Sequence, residues 1–283
     1  MPKIPNPSPE SLRRDPLPLR DRTALVTGAG RRGGIGYAAA RRLAAYGASV
    51  YLHHHVPHDE SQPWGADPGG PGAVADGVRA ALGDPAARVF HGPGDLSGAD
   101  APAELIARAA EALGGRIDIL IANHALSGRD GTLLDIDAEM LDAHWAVDTR
   151  SVILLVRAYT RLRAGLPPRT PGGRVVMMTS GQDIAGGMPG ELAYALAKGA
   201  LASVTRSLST TLAELAVTVN TVNPGPVDTD YLDGAAYQEV AERFPAGRWG
   251  MPDDPARLIA WLATDEAQWI TGQVISSEGG FRR

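Results

Sequence analysis

Tyr194 and Lys198 stand four residues apart, a spacing that puts both side chains on one face of a helix. A phenol with a reference pKa of about 10 is a poor acid–base group at neutral pH. A neighbouring ammonium favours the phenolate and lowers that pKa, which makes proton exchange with an alcohol or ketone oxygen feasible. Of 27 basic residues only Lys3 and Lys198 are lysines, so a lysine at this place stands out against a background of arginine. Ser180, at the end of the preceding strand-like run, is placed to hold the same oxygen by a hydrogen bond. The plain alternatives are an ordinary helix face for the pair and a cap for the serine.

A second chemical signature lies near the start of the chain. Thr27-Gly28-Ala29-Gly30-Arg31-Arg32-Gly33-Gly34-Ile35-Gly36 joins a strand-like run at 23–27 to a helical stretch at 35–46. Gly28, Gly34, Ile35 and Gly36 then sit where a dinucleotide pyrophosphate needs close backbone approach and a free helix N-terminus. Cofactor choice is read just after the second strand, where an acid bonds a ribose 2′-hydroxyl and an arginine nearby accommodates a 2′-phosphate. Here that strand runs into His53-His54-His55 with no acid until Asp59, and Arg31 and Arg32 stand in the loop. This favours NADP(H) over NAD(H), the alternative being that both arginines are solvated loop charges.

These residues need a frame. Short apolar runs at 23–27, 48–53, 88–91, 117–122, 174–179, 218–222 and 273–276 alternate with helical stretches at 35–46, 74–82, 101–113, 138–163, 193–215 and 255–264. The pattern predicts a single α/β domain, a Rossmann-type doubly wound parallel sheet with helices on both faces and ligands at the strand ends. Residues 1–20 carry six prolines and read as an extended arm before the domain at 21–283, 56–72 as an inserted loop, and 230–250 as an irregular loop covering the substrate.

Composition sets outer limits. The 283 residues contain no cysteine, which rules out disulfides, thiol nucleophiles and cysteine-held metals. A formal charge of −5 argues against an electrostatic grip on nucleic acid or anionic lipid, and no apolar run is long enough to span a bilayer. A cytoplasmic protein with no nucleic-acid or membrane partner is the expectation. His53, His54, His55 and His58 do not share one strand face with a fixed carboxylate, so no metal site is expected.

In these motifs the chain resembles the short-chain dehydrogenase/reductases from about residue 20 to the end, most of all the 3-oxoacyl-carrier-protein reductase branch. The likeness rests on the glycine loop at 27–36, Asp95, Ser180 with Tyr194-x-x-x-Lys198, Asn223-Pro224-Gly225-Pro226-Val227-Asp228-Thr229, and Thr271-Gly272-Gln273 with Glu278-Gly279-Gly280. It implies that Tyr194 is the general acid, that Ser180 orients the carbonyl oxygen, and that Lys198 lowers the tyrosine pKa and bonds the nicotinamide ribose. It further implies that Asp95, with Leu96 beside it, contacts the adenine and that Asn123 lies by the adenosine ribose. Pro224, Gly225, Val227 and Thr229 would hold the carboxamide end. A homotetramer or homodimer follows from the same resemblance.

The chain departs from the family pattern in three places. Five residues separate Gly28 from Gly34 where the family usually has three. The usual Asn-Asn-Ala-Gly is replaced by Ala122-Asn123-His124-Ala125, with His124 expected in packing or against the cofactor rather than the substrate. Asp148 occupies the place of the fourth catalytic residue, an asparagine that acts through its backbone carbonyl, and adds a carboxylate near Lys198. The resulting expectation is an NADPH-dependent carbonyl reductase, reversible as an alcohol dehydrogenase, acting on a 3-oxoacyl thioester or a ketone of specialised biosynthesis. A nucleotide-sugar epimerase and a catalytically silent nucleotide-binding protein are the rival classes. The short C-terminal part opposes the first, and retention of Ser180, Tyr194 and Lys198 opposes the second.

Overall fold

The computed structural model describes residues 8, 12–167, 172–182 and 186–282. In chain order it runs β1 (Thr23–Val26), α1 (Ile35–Ala45), β2 (Ser49–His54), α2 (Val56–Glu60), α3 (Gly70–Arg79), β3 (Val89–Pro93), α4 (Ala101–Ala112) and β4 (Ile119–Ala122). There follow α5 (Ala138–His144), α6 (Ser151–Ala164), β5 (Gly173–Met178), α7 (Leu192–Ala213), β6 (Val217–Asn223), α8 (Gly234–Glu242), α9 (Asp253–Leu262) and β7 (Val274–Ser276). The strands form one parallel sheet in the order β3-β2-β1-β4-β5-β6-β7. The chain reverses direction across the sheet between β1 and β4, and a crevice for ligands opens at such a point.

Period-two alternation divides the core. On β1 and β4, Ala24, Val26, Ile119 and Ile121 turn to a layer with Leu43 of α1, Val78 of α3 and Ile259 of α9. Leu25, Leu120 and Ala122 turn to the other, with Leu105 of α4, Leu155 of α6 and Leu201 of α7. Strands covered on both sides in this way are buried along their whole length, as β1, β4 and β5 are.

Four sequence expectations need correction. The single helix expected over 138–163 is α5 and α6 joined by one π-helical turn at Trp145–Arg150. That turn brings Asp148, Thr149 and Ser151 inside, where Thr149 Oγ1 donates to the Ala197 carbonyl at 2.8 Å and Ser151 Oγ to the Val147 carbonyl. Such single-turn bulges concentrate at functional sites. The 56–72 segment holds α2 and the start of α3, whose Pro57 and Pro71 sit in first turns, where proline costs no hydrogen bond. The 230–250 segment holds α8, which buries none of its residues and so leaves no apolar period to read. Order also begins before Thr23: Leu19 is fully buried and its N–H donates to the Tyr46 carbonyl at 2.9 Å. The rest of the expected arm, 1–7 and 9–11, lies outside the described residues. No helix among the described residues is long and apolar enough to cross a membrane.

Candidate active site

The glycine loop leaves β1 and turns against the end of β4. Gly28 has φ +65°, and a Cβ there would lie 2.6 Å from the His124 Cα, so only glycine fits. At Gly36 a Cβ would lie 2.5 Å from the Gly28 carbonyl oxygen and 2.7 Å from Asn123 Nδ2. Asn123 locks this approach, donating from Nδ2 to the carbonyls of Thr27 and Gly28, both at 3.1 Å. Gly34 precedes α1 without a side-chain cap, which leaves the N-terminal amides of that helix for another acceptor.

A cavity of about 500 Å³ opens over this loop, lined by Gly28, Arg31, Gly34, Ile35, Asp95, Leu96 and Asn123, together with His55, Asp59 and Trp64. Burial pulls the Asp95 carboxyl up, but hydrogen bonds from Ser97 outweigh it and leave it below the ordinary range. The close backbone approach at Gly28 and Gly36 and the free end of α1 fit the pyrophosphate of a nicotinamide dinucleotide. The two extra loop residues are absorbed in a turn closed by Gly34 N–H on the Arg31 carbonyl at 3.1 Å.

The structure separates the two loop arginines. Arg31 lines the cavity with its guanidinium 5.2 Å from the Trp64 ring centre, and Asp59 and Asp230 lie at 3.7 and 3.6 Å, short of hydrogen bonds. Arg32, expected on a 2′-phosphate, is instead turned to Asp67, which it meets at 2.8 Å. His124 is also accounted for. Its Nδ1 meets Thr27 Oγ1 and its Nε2 meets Ser151 Oγ, each at 2.7 Å, and burial holds the ring neutral, well below its ordinary pKa. It fastens the residue after β1 to the start of α6. His53 is similarly engaged, between the Gly28 N–H and the Gly94 carbonyl.

A second cavity, about 640 Å³, adjoins the first and is lined by Ser180, Tyr194, Pro224, Gly225, Val227 and Thr229. Ile35, Trp64 and Thr229 line both cavities, so the two are halves of one cleft. Lys198 is buried beneath it, with its Nζ 3.3 Å from the Met178 carbonyl and 5.4 Å from the Tyr194 ring centre. Burial lowers the Lys198 pKa, and the charge of Asp148 opposes this. The spacing of Tyr194 and Lys198 predicts a lowered phenol pKa. In the structure burial raises it, the charges of Asp148 and Glu191 add to the rise, and only the Ser180 hydroxyl pulls it back. A phenol so held keeps its proton, the state required of an acid. Ser180 Oγ otherwise contacts Met188 Sδ at 3.5 Å.

Several residues of this region escaped sequence reasoning. The Asp130 carboxylate accepts the backbone N–H groups of Ala193 and Tyr194 at 2.9 and 2.8 Å, which caps α7 and fixes the tyrosine. His144 Nδ1 lies 2.7 Å from Asp148 Oδ2, and its ring stands edge-on to Tyr194 with centres 6.0 Å apart. Asp148 Oδ1 accepts the Leu126 N–H at 2.7 Å, so its carboxylate is occupied and does not reach out to Lys198. The i,i+4 spacing of His144 and Asp148 was a readable signal; Asp130 and Trp64, on loops, gave none.

A family model described as enoyl-(acyl carrier protein) reductase matches residues 28–282. The oxidoreductase YjdA of Bacillus subtilis (strain 168) is 41% identical over 264 residues, 93% of this chain and 98% of the relative. Versicolorin reductase stcU of Emericella nidulans is 30% identical, over 93% of this chain and 96% of that one. Among solved structures, a short-chain dehydrogenase from Burkholderia cenocepacia J2315 in complex with NADP superposes with a TM-score of 0.77 at 32% identity, covering 93% of this chain and 98% of its own. Sheet order, glycine loop, and the Ser180, Tyr194 and Lys198 set agree with these matches: the chain is an oxidoreductase and belongs to the short-chain dehydrogenase/reductase family.

Proposed function

We propose that the protein is an NADPH-dependent carbonyl reductase, reversible as a secondary alcohol dehydrogenase, with Tyr194 as the general acid. The observation that carries this reading is the shared cleft, in which Ser180 and Tyr194 face the cavity next to the glycine loop. The nicotinamide, when bound, supplies hydride to the carbonyl carbon. Ser180 orients the carbonyl oxygen, Tyr194 Oη gives it a proton, and Lys198 restores charge balance beneath the phenol. Gly28, Gly34, Ile35 and Gly36 hold the pyrophosphate, Asp95, Leu96 and Asn123 the adenosine, and Pro224, Gly225, Val227 and Thr229 the carboxamide end. Preference for NADP(H) rests on Arg31, a cation lining the first cavity that is ion-paired with Asp59 and Asp230 and donates to the Thr229 carbonyl at 2.8 Å, and on the relative solved with NADP.

For the substrate, a bulky cyclic ketone with an apolar, planar body suits the second cavity best. Trp64, Met188, Pro226 and Tyr231 give it apolar walls, and Ser180 and Tyr194 are among the polar groups that line it. A 3-oxoacyl thioester is the second reading, favoured by Arg129, which lines both cavities and is ion-paired with Glu139. Exposed Leu141, Trp145 and Leu196 on α5, the π turn and α7 support a homotetramer or homodimer. The test is NADPH oxidation followed with cyclic aromatic ketones and with 3-oxoacyl thioesters, each with Tyr194→Phe as control. Turnover of the ketones that falls about 10²- to 10⁴-fold in the variant supports the reading. Turnover unaffected by the variant overturns the role of Tyr194, and turnover of thioesters alone replaces the substrate class.

A further inference from the structure

We propose that His144 and Asp148 form a buried proton-holding pair that positions Tyr194 and keeps a bare carboxylate from forming beneath its phenol. The inference rests on the reductase reading and adds a positioning residue, His144, to it.

Hydrogen-bond stoichiometry fixes how many protons the pair holds. His144 Nε2 lies 3.1 Å from the Gly128 carbonyl, which can only accept, so Nε2 carries a hydrogen. His144 Nδ1 lies 2.7 Å from Asp148 Oδ2, and that contact also needs a hydrogen between the atoms. The other carboxylate oxygen, Oδ1, is taken by the Leu126 N–H. The two contacts together require two hydrogens, whereas a neutral imidazole and a carboxylate carry one between them; the pair therefore holds one extra proton, as imidazolium with carboxylate or as imidazole with carboxylic acid. The side chains are 1% and 0% exposed, so that proton is held out of water.

The location gives the pair its effect. Asp148 sits in the π-helical turn, His144 ends α5 against the Tyr194 ring, and Gly128 and Asp130 belong to the loop after β4 that caps α7. The charged or titratable groups facing the pair are Asp130, 3.9 Å from His144 Nε2, Glu191 and Tyr194 at the start of α7, Lys198 one turn on, and His58 of α2. Burial drags the His144 pKa down, but the hydrogen bond and charge of Asp148, with Gly128 and Asp130, more than reverse this and leave it raised. With the proton in place the pair is neutral overall. Once it leaves, a net negative charge remains under the phenol, the phenolate formed at each turnover is disfavoured, and the rate falls.

The experiment compares kcat–pH profiles of wild type, His144→Asn, Asp148→Asn and the double variant, with Tyr194→Phe alongside. His144→Asn should lower kcat about tenfold or more, and adding Asp148→Asn should recover most of that loss, since the cost is the uncompensated carboxylate. Asp148→Asn alone should extend the plateau to higher pH. KM and nucleotide Kd should stay within about twofold throughout. Superimposable profiles, or losses that simply multiply in the double variant, overturn the pair while Tyr194→Phe remains inactive. If Tyr194→Phe itself turns over normally, it is the reductase reading that fails. Should His144→Asn not fold, an NMR titration of the His144 ring in wild type and Asp148→Asn decides: an unchanged midpoint refutes the shared proton.

Discussion

Arg32 of the glycine loop and Asp67 of the segment between α2 and α3 hold each other through two guanidinium nitrogens, Nε at 2.9 Å and NH2 at 2.8 Å, and Asp67 also accepts the Arg32 backbone N–H at 3.0 Å. The carboxyl is pulled down to about 2 by the Arg32 hydrogen bond above all. The lengthened glycine loop and the 56–72 segment are thereby one structural unit, with Arg31 over Trp64 as its second contact.

The two arginines should therefore differ in their effects on nucleotide binding. Arg31→Ala should weaken NADPH about tenfold or more and NADH by much less, the loss of a charge-assisted phosphate contact. Arg32→Ala and Asp67→Ala should weaken both nucleotides alike, because they loosen the loop without removing a phosphate ligand. Fluorescence titration of each variant with both nucleotides checks this, and a selective NADPH loss in Arg32→Ala would contradict it.

Acid should unfold the protein through its buried histidines. Burial pushes His53 and His54 down to about 4, and His124 well below the ordinary value. In the unfolded chain each titrates at about 6.5, so the unfolded state binds more protons between those values. The stability they contribute is complete above about pH 6.5 and is lost as pH falls through about 4. His144, with its raised value, works in the opposite sense: its contribution is complete below about 6.5 and is lost as pH rises through the folded value. Denaturant melts at about pH 7.5 and about pH 5 should differ by on the order of 2 kcal/mol for each depressed histidine, and His54→Gln should flatten the dependence.

At the opposite end of the sheet, Asp118 is fully buried and meets Arg163 NH1 at 3.2 Å, Arg116 Nε at 3.0 Å and the Thr23 N–H at 3.0 Å. Removing one partner of a buried pair costs about 3–5 kcal/mol. Asp118→Ala should lower the urea midpoint accordingly, and any protein that still folds should bind nucleotide as before, since the cleft lies at the other strand ends.

Much of this molecule is legible in its amino-acid sequence. Strand–helix alternation announced the doubly wound sheet because both faces of every central strand are covered. The glycine loop, Ser180, Tyr194 and Lys198 were readable because their chemistry depends on local spacing. What escaped reading depends on distant partners. The π-helical turn preserves the apolar helix pattern of 138–163 and shows only in the inward turn of Asp148, Thr149 and Ser151. Arg32 looks like a phosphate ligand until Asp67, 35 residues on, claims it. Trp64 sits in a stretch of proline, glycine and aspartate with no period to mark it as a wall of the cleft.

Trp64 touches both halves of the cleft, and this has a thermodynamic consequence. A side chain common to two cavities cannot be moved by the occupant of one without altering the free energy of filling the other, and such coupling is reciprocal. If nucleotide binding shifts the Arg31–Trp64 stack, the factor by which NADPH changes ketone affinity must equal the factor by which the ketone changes NADPH affinity. In that case Trp64→Ala would bring both factors toward one, and each ligand would bind with the same affinity whether or not the other is present.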